Sequence, residues 1–356
     1  MTFDLEFPYK DDTVYLAYSR PYPYSKILAA MFDQEEHLRA LPQTSQSFVV
    51  EEDKEKLRLK IARKGILYER SLLCKTICGL PMPVIQITNS SNGPVENKKR
   101  KVIFITARVH PGETSASTVY EGFMQGLLQG DPVETSLLMG HFVFRTIPCL
   151  NPDGVVCGNY RSSLAGVDLN RQWICPNKEL HPEVYHTKAL MRQVTQKDNR
   201  QILIYCDIHC HSKKKNSFLY GCNTAGDGAP FSTWTQVRLL PRLFARRSEF
   251  ISLPSCRFVI DPCKLGTARV VVWKEFKVTN SFTLENSFYG YEHGTQTRVY
   301  DQHHYRQIGA SFVHALNDYR VCIQQIQEEL KMTKGWLKPA KLKEISGTPA
   351  ATIIAR

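Results

Sequence analysis

Two short segments of the sequence carry side chains able to hold a metal ion. In Ala107-Arg108-Val109-His110-Pro111-Gly112-Glu113, a histidine and a glutamate three positions apart flank a Pro-Gly turn, so both can bend toward one point. In Cys206-Asp207-Ile208-His209-Cys210-His211-Ser212, two histidines stand two positions apart. Imidazole nitrogen and carboxylate oxygen suit a zinc ion. A hydrolytic zinc centre takes three protein ligands and keeps a fourth position for water. A His-x-x-Glu pair alone is common and ordinarily marks a surface turn, and a lone histidine is more often a satisfied, partly buried side chain than a ligand. Together the two segments complete a set: His110, Glu113 and one of His209 and His211. His209 continues the preceding strand and is the better candidate, which leaves His211 in a supporting or substrate-facing position.

Strands and helices alternate from about Leu57, and they must position these segments. Val102-Ile103-Phe104-Ile105-Thr106 is a fully apolar run of the kind buried in a mixed or parallel sheet, and it ends just before the first segment. Ile202-Leu203-Ile204-Tyr205 leads into the second. Val84–Thr88, Phe142–Ile147 and Arg269–Trp273 read as further strands. Val119, Phe123, Met124, Leu127 and Leu128 fall at helical spacing, with Thr114 or Ser115 available as a cap. Ile308, Phe312, Leu316 and Tyr319 mark a long helix near the end. The expected fold class is α/β, a sheet covered by helices on both faces. Ligands in such folds gather at the carboxyl ends of strands, where both segments lie. Phe7 to Tyr24 alternates aromatic and polar residues like an edge strand entering a turn. Gln43–Glu55 reads as a linker or surface loop, Asn89–Lys101 as a loop, and the basic stretch from Lys338 as disordered.

Five motifs occur in order: His110-Pro111-Gly112-Glu113, Asn151-Pro152-Asp153-Gly154, Asn159-Tyr160-Arg161, Asp168-Leu169-Asn170-Arg171 and Asp207-Ile208-His209. With these, the chain resembles the zinc metallocarboxypeptidases. The stretches GNYRSSLAGVDLNR and DIHCHSKK resemble the cytosolic carboxypeptidase branch, the tubulin deglutamylases. The resemblance runs from about Asp4 to Tyr319. It implies a mixed, mostly parallel sheet flanked by helices and preceded by a β-sandwich. Residues 1–45 would then be the end of that β-rich domain with a linker, 46–337 the catalytic domain and 338–356 a basic tail. It implies one Zn²⁺ per chain on His110, Glu113 and His209, with Glu285 as general base and acid. By the same resemblance Arg161 serves the oxyanion, Asn170 and Arg171 clamp the terminal carboxylate, and Asp168 fixes a zinc-bound histidine, taken as His110. Arg269 would read an acidic side chain in the specificity pocket. The implied substrates are acidic C-terminal tails, polyglutamylated tubulin foremost. The implied place of work is the cytoplasm, including microtubules, centrioles or cilia. One departure stands out: secreted digestive members carry a tyrosine on a mobile loop, and Asp261–Gly266 contains none.

The residues suit these roles chemically. Phe282, Leu284 and Phe288 would give Glu285 an apolar setting that raises a carboxyl pKa. The planar guanidinium fork of arginine matches a carboxylate. Lys213-Lys214-Lys215 could steer an acidic chain toward the site. The balance of 46 Lys and Arg against 34 Asp and Glu, a net +12, likewise suits an acidic partner, but no nucleic-acid-binding motif is visible. Met1–Lys10 is charged and has no apolar run, unlike a secretory signal, and no segment has membrane-spanning length and apolarity. The 11 cysteines, an odd number without a CxxC pair, point to free thiols in a reducing compartment. Two rival functions fit part of this pattern. One is a zinc amidohydrolase of small N-acyl amino acids on a related scaffold. The other is a non-catalytic basic microtubule- or nucleic-acid-binding protein, which has no need of the complete set His110, Glu113, His209 and Glu285.

Overall fold

The structure is a computed structural model that describes residues 4–41, 49–53, 57–63, 65–89, 100–223 and 231–336. Nine of its strands make one sheet: β1 (Val49–Asp53), β2 (Arg58–Arg63), β3 (Ile66–Lys75), β4 (Pro81–Asn89), β5 (Lys101–Ala107), β6 (Phe142–Ile147), β7 (Ile202–His211), β8 (Ser217–Tyr220) and β9 (Asn280–Ser287). Their order is β1-β2-β3-β4-β6-β5-β7-β9-β8. The centre, β6-β5-β7-β9, is parallel. An antiparallel arm, β1 to β4, extends from one side, and β8 closes the other edge antiparallel to β9. A small hairpin, β10 (Gly290–His293) and β11 (Gln296–Val299), follows.

The central strands are apolar throughout because helices cover both faces. Ile103, Ile105 and Ala107 of β5 point to one side with Phe144 of β6, and Val102 and Phe104 point to the other with Val143 and Ile147. The first face is covered by α2 (Thr114–Gln129), α3 (Pro132–His141), α6 (Phe231–Arg247) and α8 (Gln302–Trp336), and α1 (Tyr24–Ala40) reaches it through Met31 and Leu38. The second is covered by α5 (Pro182–Arg192) and α7 (Ala268–Phe276). A short helix, α4 (Pro152–Val156), follows β6. Helices α2 and α8 touch backbone to backbone. A Cβ added at Gly122 would lie 2.1 Å from Arg306 O, and one at Gly309 would lie 2.0 Å from Val119 O. Glycine at both points lets the helices close, and this fixes the α2 N-terminus, where Glu113 sits.

Several sequence expectations change. Arg269–Trp273 is not a strand but lies in helix α7. A short apolar run reads equally as buried strand or buried helix, and here the Asn170 side chain accepts from Ala268 N at 2.8 Å and anchors a helical start. Valine's weak helix propensity yields to that anchor and to burial of Val270, Val271 and Val272. No strand forms among residues 4–22. Pro21 and Pro23 cannot donate to a ladder, and the segment docks through side chains instead: Tyr22 Oη donates to Glu121 Oε2 at 3.0 Å, and α1 follows. The stretch 43–55 contains strand β1, while its other residues lie outside the described ones, as do the interior of the 89–101 loop and the tail from 337. Neither Thr114 nor Ser115 caps α2. Glu113 holds the N-cap position without a side-chain cap bond, because the preceding loop sets where the helix begins, and Thr114 Oγ1 meets Ser19 Oγ at 3.0 Å. All eleven cysteines are free thiols. Among the described residues, no helix is long and apolar enough to cross a membrane.

Candidate active site

Strand β5 ends at Ala107, and the next residues must turn sharply to enter α2. Arg108 takes up the left-handed conformation at φ 58°, and its buried guanidinium ties the loop by donating to Pro111 O and Ser117 Oγ, each at 2.8 Å. Gly112 N donates to Tyr160 O at 2.8 Å, and a Cβ there would lie 2.7 Å from that oxygen and from the tyrosine ring, so the close approach needs glycine. Asn151 Nδ2 donates to Val109 O at 3.1 Å, which braces the loop from below. His110 and Glu113 are thus aimed by residues of two other motifs, with Arg108 tying the loop itself.

The second half comes from β7 and β9. Alternation along β7 puts Asp207 and His209 on one side, and the parallel register pairs them with Thr283 and Glu285. His110, Glu113 and His209 converge, each offering a ligand atom, with all three atoms within 4.8 Å of one another. His211 is turned elsewhere: its Nδ1 accepts backbone N–H groups from Lys213 and Lys214 at 3.1 and 3.0 Å.

Each converging histidine is held from behind by a carboxylate. His110 Nε2 lies 3.1 Å from Asp168 Oδ1, and His209 Nε2 lies 2.7 Å from Asp207 Oδ2. An ionised carboxylate only accepts, so both Nε2 atoms donate and both Nδ1 atoms face inward, where loss of a proton frees a lone pair for a metal. In front of them sits Glu113, with Oε1 2.6 Å from His110 Nδ1 and Oε2 3.0 Å from His209 Nδ1. Two imidazole nitrogens facing one buried carboxylate make a point that favours positive charge, carried by a proton or by a metal ion, and two nitrogens with one oxygen suit zinc. The local field agrees. Burial presses His209 toward its neutral form, but Asp207 and Glu113 outweigh it and hold the pKa well above the usual value. Burial likewise opposes the Glu113 charge, yet His209 and His110 keep its pKa far below the ordinary carboxylate range.

Asp207 had no role assigned from the sequence, although its i, i+2 spacing to His209 on a strand was the available signal. Thr106 Oγ1 steadies it, donating to Oδ1 at 2.7 Å. Asp207→Asn should lower zinc affinity about 10- to 100-fold, read by competition with a chromogenic chelator. Unchanged affinity would take Asp207 out of the support of the metal.

The triad opens into a cleft of about 740 Å³, which Glu285, Arg161, Asn170, Arg171 and Arg269 also line. Burial raises the Glu285 carboxyl to about 7; His209 pulls it down, and the nearby Glu113 charge pushes it up again. The elevated pKa agrees with the sequence expectation, but its source differs. Phe282 and Leu284 point into the opposite core, and the desolvation comes from the walls of the cleft, which include Phe288. Asp168 accepts from Asn170 N at 2.8 Å, and its Oδ2 receives Arg161 Nε and Nη2 at 2.9 and 2.8 Å. Arg171 Nη1 stands 3.7 Å from the same oxygen. Arg269, in the first turn of α7, is buried. Its Nη1 donates to Gly221 O and lies 3.3 Å from Cys222 Sγ, and no carboxylate pairs with it among the described residues.

Further residues of the cleft had no local signal. Arg257, Lys264 and Tyr220 line it from loops and from β8. Of the three lysines at 213–215, Lys214 lines the cleft, with its ammonium over the rings of Phe218 and Tyr220. Lys215 instead donates to Thr297 Oγ1 at 2.7 Å. The loop at 261–266 contributes Asp261, Pro262 and Lys264. Tyr18, from the opening segment, packs edge-on against Tyr160 and Phe288 at the cleft rim, with ring centroids 5.2 and 5.6 Å away.

Comparison with known proteins agrees with this geometry. A family model described as zinc carboxypeptidase matches residues 57–348. Cytosolic carboxypeptidase 4 of Mus musculus is 38% identical over 309 residues, covering 83% of this chain and 25% of that protein. Cytosolic carboxypeptidase 1 of Danio rerio is 39% identical over 308 residues, covering 83% and 24%. This chain therefore spans about a quarter of the length of these relatives. The fold is similar to that of a metallo-carboxypeptidase from Burkholderia cenocepacia, with a TM-score of 0.67 at 22% identity, covering 86% of this chain and 71% of the other. From the match over most of its length, this chain belongs to the zinc carboxypeptidase family.

Proposed function

We propose that the chain is a zinc-dependent carboxypeptidase that removes glutamate from the C-termini or branch points of acidic protein tails, such as those of tubulin, in the cytoplasm. The observation that carries the glutamate preference is Arg269. A buried guanidinium without an acidic partner among the described residues, lining the cleft that contains the metal triad, is a site for a carboxylate side chain. An apolar substrate residue would leave that charge uncompensated. The other cleft cations, Arg161, Arg171, Lys214, Arg257 and Lys264, favour an acidic chain along the approach.

His110 and His209, through Nδ1, and Glu113, through its carboxylate, would hold the zinc. Bound zinc supplies Lewis-acid polarisation of the scissile carbonyl and acidifies water. Glu285 takes a proton from the attacking water as its oxygen joins the carbonyl carbon, then delivers that proton to the amine nitrogen as the C–N bond breaks. Arg171 grips the terminal carboxylate. Asn170 contributes an amide donor through Nδ2, while its oxygen stays committed to Ala268 N. Arg161 neutralises charge developing on the carbonyl oxygen, in exchange for part of its contact with Asp168.

The test is mass spectrometry after incubating zinc-loaded protein with three substrates: a peptide ending in glutamate, its leucine-ended counterpart and an N-acyl glutamate. Stepwise loss of glutamate from the first, with the second largely spared, is expected. Turnover of the N-acyl amino acid alone would make the chain an amidohydrolase, and turnover of none would leave a binding protein.

A further inference from the structure

A second basic pocket, of about 530 Å³, shares no lining residue with the active-site cleft. It lies on the α5 side of the sheet, and its charged lining consists of Arg145, Arg192 and Lys197, joined by His186, with no Asp or Glu. Arg145 stands on β6 between Val143 and Ile147, both core residues, where alternation calls for an apolar side chain. Its Nε is closed to solvent and has no hydrogen-bond partner, and no ion pair reaches its guanidinium among the described residues. Nearby charges do not resolve this. Glu69 accepts from Gln86 Nε2 at 2.7 Å, and Arg200, whose Nε is equally shut off and unpartnered, adds a like charge. Asp198 is the remaining acidic group that acts on Arg145, and it does not line the pocket. At the rim, Arg192 reaches Glu275 only at 3.7 Å.

The backbone beside the pocket is unusual as well. Gln193–Lys197 forms a π turn, in which Asp198 N donates to Gln193 O at 3.0 Å. Such widened turns are rare and recur at functional sites. Gln193 and Gln196 of this turn line the pocket and bring neutral amide donors beside the cations.

We propose that this pocket binds a small phosphate-bearing anion, with the Arg145 guanidinium as its floor and Arg192 and Lys197 as its rim. A half-buried guanidinium whose Nε is closed to solvent and unpartnered carries a cost that a bound oxyanion reduces, and the arginine fork matches phosphate oxygens. The volume lies in the small-molecule range. The proposal does not depend on the peptidase reading, because its readout is binding.

Inorganic phosphate added to the zinc-loaded full chain, compared with chloride at equal ionic strength, should raise Tm saturably. The rise should be roughly 5 °C at a hundred-fold excess over Kd. The shift should persist in Arg171→Gln, which removes an anion contact from the cleft, disappear in Arg145→Met and shrink in Arg192→Gln. Arg192 is exposed, so its variant tests the site even where Arg145→Met fails to fold. An undiminished shift in Arg192→Gln, its loss in Arg171→Gln, or no effect beyond that of chloride would overturn the proposal. So would a pentaglutamate peptide that stabilises the protein through Arg145 more strongly than phosphate does.

Discussion

Glu285→Gln should lower kcat by roughly 10²–10⁴-fold while zinc stoichiometry and KM for a glutamate-ended peptide stay close to wild type. Glutamine keeps the volume and the planar head of the side chain but can no longer take up and release a proton. The surroundings favour this role over a structural one. The Glu285 carboxyl makes no hydrogen bond among the described residues, so the change removes no side-chain contact of the fold. Its pKa of about 7 suits a group that must be a base in one step and an acid in the next. Its Cα partner across β7 and β9 is His209, so it stands beside the metal triad without belonging to it. The measurement is steady-state kinetics together with metal analysis of the purified variant. A kcat within a few-fold of wild type would assign the proton transfer elsewhere, and a drop in bound zinc would make Glu285 a ligand rather than a base.

His110 and Glu113 are legible in the sequence because they lie on one short turn, where three-residue spacing alone brings them together. The apolar runs of β5, β6 and β7 are legible for a related reason, since a strand buried on both faces has no polar positions to confuse the pattern. His209 follows from the same run. Glu285 is another matter: nothing local distinguishes it from a surface charge, and only the β7–β9 register brings it beside His209. The family resemblance supplied what periodicity could not. Asp207 was within reach of strand alternation, whereas Arg257 and Tyr220 enter the cleft, and Tyr18 packs on its rim, from parts of the chain with no signal of their own. The valine run after Arg269 misled because fully buried helix and fully buried strand look alike over five residues, and the deciding contact, from Asn170, is nearly a hundred residues away in sequence.

The same helix start makes Arg269 the sharpest test of substrate choice. Arg269→Met should cut kcat/KM on a glutamate-ended peptide by about 10²–10³-fold and leave a methionine- or leucine-ended peptide near its original rate. Truncating one partner of a buried, hydrogen-bonded charge pair costs about 2–5 kcal/mol, and each 1.4 kcal/mol is about tenfold. Neutral ends have no such pair to lose, and the apolar replacement removes a charge that their side chains would leave unpaired. Arg269 also supports the structure, since its Nη1 donates to Gly221 O and its carbonyl accepts from Ser281 Oγ at 2.7 Å. Zinc content and the rate on the neutral peptide therefore serve as controls for folding. Arg269→Lys adds a second comparison: it keeps the charge but loses the planar fork, and should fall between wild type and methionine on glutamate ends. A loss equal on acidic and neutral peptides, with zinc retained, would mean that Arg269 shapes the cleft without reading the side chain. The selectivity would then have to come from a cation nearer the surface, with Arg257 and Lys264 the next to vary.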